Sequence, residues 1–105
     1  MSINQKDIFK HFSSSQEVAG EHFFSRSFSV FMKVMEEKKF SAAAVKLQLT
    51  QSSISQTIAG LERSLGVDLF NRESRPPQPT KEAVKLYEAL KESEKNVSQI
   101  LVNIQ

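Results

Sequence analysis

A chain of 105 residues with 39% hydrophobic side chains supports one small domain with a modest core. It has no cysteine, which excludes a disulfide framework and thiolate chemistry, and His11 and His22 stand without metal-ligand spacing or a catalytic partner. Fourteen Lys and Arg against twelve Asp and Glu leave a formal charge of +2, a weak attraction for a polyanion, and no apolar run approaches the ~18 residues of a membrane span.

Residues 1–24 form the first zone. Ile8, Phe9 and Phe12 make a small apolar cluster before the tract Ser13–Ser15. Lys6 and Lys10 stand against Asp7, Glu17 and Glu21, so this zone is net −1 and the rest of the chain +3. Helices this short are marginal alone, so a loose arm is expected. The serines have no base or oxyanion context, and with only three scattered glycines there is no phosphate loop. Nothing points to an enzyme, a metal or a cofactor.

The second zone, 25–79, carries the domain. From about Ser27 to Lys38, Phe28, Phe31, Val34 and Met35 follow a helical period, and Phe24 extends the stripe backwards. Phe40 closes the corner, and Ser41 is the expected N-cap of the next helix. Ala43, Ala44 and Leu47 share a face of that helix. Ile54, Ile58, Leu61 and Leu65, spaced four, three and four apart, form the stripe of another over Ser52–Leu65. Only Gln48–Gln51 separates the two, which suits the tight corner of a helix-turn-helix. Gln51, Ser52, Ser55 and Gln56 lie at the start and on the open face of the second helix, where amides and hydroxyls can hydrogen-bond base edges in a major groove.

Leu69 and Phe70 read as a short buried strand, and Glu73-Ser74-Arg75 as a turn. Pro76, Pro77 and Pro79 forbid a central strand or helix but allow an edge segment. A hairpin in this position is the wing of a winged helix. Arg72 and Arg75 sit on or beside it, placed for phosphate or the minor groove, with Glu62, Asp68 and Glu73 as competing ion-pair partners. Lys33, Lys38 and Lys39 are further backbone-contact candidates that a solvated helix face would equally explain.

The last zone, 80–105, is a long helix capped by Thr80, with Glu82 in its first turn. Ala83, Tyr87, Leu90, Glu94, Val97, Leu101 and Ile104 alternate four and three apart, a heptad seam interrupted at Glu94. Twenty-five residues would extend roughly 37 Å, too far to pack wholly on so small a domain. A partner helix is the economical expectation, with a further domain of the same chain as the alternative cover; pairing makes Ala83, Tyr87, Leu90, Val97, Leu101 and Ile104 dimer-interface candidates.

The run Phe40-Ser41-Ala42-Ala43-Ala44, then Leu47, Leu49-Thr50-Gln51-Ser52, Ile54-Ser55, Ile58, Leu61-Glu62, Leu65-Gly66 and Leu69-Phe70-Asn71-Arg72, resembles the N-terminal domain of LysR-type transcriptional regulators. The likeness continues through Pro79-Thr80 and spans about Phe28 to Ile104 without gaps. It implies a mainly α fold: a winged helix-turn-helix of three helices and a two-stranded wing, followed by a long dimerisation helix. It also implies binding to interrupted palindromes in bacterial promoters. Carried over, the base-contact positions are Gln51, Ser52, Ser55 and Gln56, Thr50 falls where its hydroxyl could hold a phosphate, and Arg75 falls on the wing. Where most relatives carry a basic residue this chain has Gln56, which removes an arginine–guanine contact and implies either more adenine or thymine readout or weaker affinity. The usual Leu before Thr80 is Pro79, and the usual Gly three residues after it is Ala83.

The resemblance further implies a second, effector-sensing domain, for which 105 residues leave no room. The expectation is a DNA-binding portion, either cut from a longer regulator or a natural short protein. Its expected partners are double-stranded DNA and a second copy of itself. A full-length LysR-type relative, captured through the last helix as a heterodimer, is the alternative. The expected location is the cytoplasm, on the nucleoid when bound to DNA.

Overall fold

The computed structural model describes residues 17–104, with side chains from Phe24 onward. Four helices and a two-stranded antiparallel sheet follow in the order α1 (Glu17–Glu37), α2 (Phe40–Leu47), α3 (Gln51–Leu65), β1 (Phe70–Asn71), β2 (Gln78–Pro79) and α4 (Lys81–Asn103). This is the winged helix-turn-helix with a long final helix that the sequence predicts. No helix among the described residues is long and apolar enough to cross a membrane.

α1 begins at Glu17, ten residues before the expected Ser27, so the part of the arm after residue 16 is helical. The rest of the arm, with its Ile8–Phe12 cluster, serines and His11, lies outside the described residues. Val30, Phe31 and Val34 are buried on the domain side of α1, and Phe24 and Phe28 pack partly against the same core. The helix stops at Lys38, whose amide still bonds the Val34 carbonyl at 2.8 Å but whose φ of 67° is left-handed. A side chain other than glycine held there costs about 1–2 kcal/mol.

The N-cap of α2 is Lys39, not Ser41. Lys39 is extended and offers no side-chain acceptor, whereas a capping Ser would contribute about 1 kcal/mol. The displacement follows from Phe40. Its ring must reach the core, where it meets Phe70 edge-on at 5.1 Å, so the helix has already begun at Phe40 and Ser41 is its second residue.

The corner between α2 and α3 is closed by Gln48 in the left-handed region and by the Leu49 amide on the Ala44 carbonyl at 2.9 Å. α3 ends at Gly66, with φ of 72°, which only glycine adopts without penalty. Leu69 then points fully into the core, and Phe70 pairs with Pro79 while Asn71 pairs with Gln78. The strand is therefore Phe70–Asn71, one residue later than expected. Pro79 fits because it lies on an edge and donates nothing. Thr80 ties the sheet to α4: its amide bonds the Leu69 carbonyl, its hydroxyl donates to the Asp68 carbonyl at 2.8 Å, and its Oγ1 accepts the Ala83 amide at 3.2 Å.

Candidate nucleic-acid interface

α3 separates its two faces sharply. Ile54, Ile58 and Leu61 are completely buried, while Gln51, Ser52 and Gln56 are exposed and Ser55 is half-buried. The Thr50 hydroxyl accepts the Ser53 amide at 3.0 Å, so it caps α3 through its oxygen and leaves its hydrogen free to donate. Gln51 opens the helix, one residue earlier than expected. Its four base-contact candidates fall into two pairs a turn apart, Gln51 with Ser55 and Ser52 with Gln56. No cation interrupts them; the helix carries only Arg63, near its far end. Such a surface can hydrogen-bond without drawing the chain strongly to any one phosphate.

The cations stand around it. A cleft of about 340 Å³ between α2, α3 and the wing is lined by Lys38, Lys39, Ser41, Gln51, Ser55 and Arg72, together with Phe40, Pro76 and Pro77. Arg72 has taken one of the ion-pair partners that the sequence offers. Its Nη1 pairs with Glu62 Oε1 at 3.0 Å, with the arginine side chain 45% exposed and the carboxylate 9%. The other carboxylate oxygen accepts the Leu69 amide at 2.7 Å and the Phe70 amide at 3.2 Å. Glu62 thus locks the wing's first strand to α3 and holds Arg72 by one nitrogen. Arg75 is exposed on the wing, with no ion pair among the described residues. Lys33 bridges Glu36 at 3.2 Å one turn on, on the solvated face.

The seam on α4 divides. Ala83 is fully buried in its own domain, so it is corrected from interface candidate to core residue; Leu86, which the heptad pattern passes over, is buried beside it. Tyr87 and Leu90 pack partly against the same core. Val97, Leu101 and Ile104 are 55%, 53% and 73% exposed, and Ile100 joins them.

A sequence profile described as "Bacterial regulatory helix-turn-helix protein, lysR family" matches residues 25–84. The chain belongs to that family. Among curated LysR-type relatives it is 51% identical over 59 residues to the HTH-type transcriptional regulator AceR of Acinetobacter baumannii, covering 56% of this chain and 20% of AceR. It is 37% identical over 76 residues to the HTH-type transcriptional regulator BenM of Acinetobacter baylyi, covering 72% of this chain and 25% of BenM. The chain thus spans a quarter or less of these relatives' length. Among solved structures, the BenM DNA-binding domain in complex with catB site 1 DNA superposes with a TM-score of 0.66 at 36% identity, over 73% of this chain and 83% of that one. Full-length BenM gives 0.64, over 25% of its chain.

Within this LysR-family domain, sequence reasoning offers Glu62 as one of three ion-pair partners for Arg72 but misses its hold on the Leu69 and Phe70 amides. The signal was present: an acidic residue directly follows Leu61 and lies four after Ile58, on the edge of the buried stripe, where a carboxylate must find partners. Leu86 was hidden by the strict heptad reading, because a helix lying on a domain buries a wider arc than a coiled-coil seam.

Proposed function

We propose that this chain is a DNA-reading module of a LysR-type transcriptional regulator, working as a symmetric dimer on an interrupted palindrome. α3 enters the major groove and presents Ser52 and Gln56, with Gln51 and Ser55 behind them, to base edges. Thr50 donates to a phosphate at the start of that helix, and Arg75 carries the wing to the flanking minor groove. The exposed end of α4 with its C-cap, Val97 to Ile104, pairs with a second copy and spaces the half-sites by one or more turns of DNA, ~34 Å each.

The observation that carries this reading is the uncharged, exposed polar face of α3 set beside a cationic cleft, in a family fold that superposes on a DNA-bound relative. Glutamine pairs its amide with the N6 and N7 edge of adenine, whereas guanine readout favours arginine or lysine. With Gln56 in place, the half-site is expected to carry adenine or thymine where this residue meets it.

Selection of bound duplexes from a random library, followed by fluorescence anisotropy on the recovered site, tests the reading. A palindrome should emerge, and Ser52→Ala with Gln56→Ala should weaken binding to it at least tenfold while leaving unrelated duplexes unaffected. Equal binding of every sequence by the unaltered chain would sink the readout.

A further inference from the structure

Lysine is an unexpected choice at both residues joining α1 to α2. Lys38 holds a left-handed backbone that glycine would adopt freely, and Lys39 occupies an N-cap that serine would satisfy. Both local preferences are overridden, and the result is two adjacent positive charges on the rim of one concavity. Arg72, paired with Glu62 through one nitrogen, adds guanidinium donors from the wing side, and the cleft's lining contains no acidic residue. The carboxylate that pairs with Arg72, Glu62, also accepts two backbone amides. The two lysine charges beside one hollow repel each other unless an anion enters it, while Arg72, held by Glu62 through one nitrogen, keeps further N–H groups that can donate to that anion. Ser41 and Gln51, on the same wall, add a hydroxyl and an amide that can donate to an anion's oxygens.

We propose that the cleft bounded by Lys38, Lys39, Ser41, Gln51 and Arg72 is a phosphate seat, which holds one backbone phosphate of duplex DNA where α2, α3 and the wing meet. The inference rests on the DNA-binding reading above and adds to it the source of affinity that α3 lacks. Ser52 and Gln56 discriminate; the seat attracts and sets the depth at which α3 lies in the groove. Because a phosphate carries no sequence, the seat contributes equally to every duplex.

The test compares the unaltered chain with Lys38→Gln/Lys39→Gln on duplexes of unrelated sequence across a salt series. The double variant should lose affinity by a similar factor on each duplex, and the slope of log affinity against log salt should flatten by about one. Lys38→Gly separates function from folding. Glycine suits the backbone there, so the melting temperature should hold or rise while affinity falls, opposite movements that a structural role does not produce. Unchanged affinity and slope in the double variant would overturn the seat; if Arg75→Ala still weakens binding, the DNA reading survives that failure. Inorganic phosphate titrated without DNA is the second arm. Saturable shifts of the Ser41 and Gln51 amides, with an unchanged DNA slope in the double variant, would assign the cleft to a free anion and overturn the duplex reading. If the unaltered chain binds no duplex at all, both readings fall together.

Discussion

The two halves of α4 carry one continuous helical pattern and meet opposite surroundings. In the first half Ala83 and Leu86 are sealed in the domain, with Tyr87 and Leu90 leaning on the same core. In the second, Val97, Ile100, Leu101 and Ile104 stand more than half exposed. Glu94 marks the change, reaching only a loose contact with Lys91 at 3.5 Å. The difference teaches that a heptad period reports an apolar stripe and not its partner. The first half is held by its own domain, and the second half is the part left exposed, where the proposed pairing with another copy would fall.

That contrast can be broken at several points. Leu86→Ala removes a fully buried side chain and should destabilise the domain by about 3 kcal/mol, measured by urea unfolding; a loss under about 1 kcal/mol would mean that this half is not core. Glu62→Ala extends the inside-versus-outside distinction to α3. It strips two wing amides of their acceptor and should cost about 2 kcal/mol, again by urea unfolding, together with weaker DNA binding as the wing loosens. Thr80→Ala, at the hinge between wing and α4, should cost about 1 kcal/mol. Val97→Asp with Leu101→Glu should change the stability of the monomer by no more than about 0.5 kcal/mol, yet should shift the chain from dimer to monomer in analytical ultracentrifugation. If that pair unfolds the domain instead, the two halves of the helix are not independent.

The same contrast separates the basic residues. Lys33 is neutralised by a neighbour one turn away, a pairing that helix spacing makes available to any Lys and Glu three apart. Arg72 is held by Glu62, ten positions back, which no local pattern could select over Asp68 or Glu73. Lys38 and Lys39 look like ordinary helix-end lysines in the sequence, and become neighbours of Arg72, Gln51 and Ser55 only when α2, α3 and the wing converge.

The sequence by itself determined the helix-turn-helix, the edge strand at Pro79, the cap at Thr80, and the polar face of α3. Each depends on interactions within a few residues: a helical period, a hydroxyl reaching an amide three positions on, a proline that cannot donate. The tertiary structure decided the rest. Phe40 started α2 before Ser41 because the core required its ring, Glu62 turned a surface arginine into a clamp, and the domain took half of a seam that the pattern had offered whole. Those outcomes depend on which surfaces meet, and burial energy over distant contacts outweighs a cap or a period worth about 1 kcal/mol.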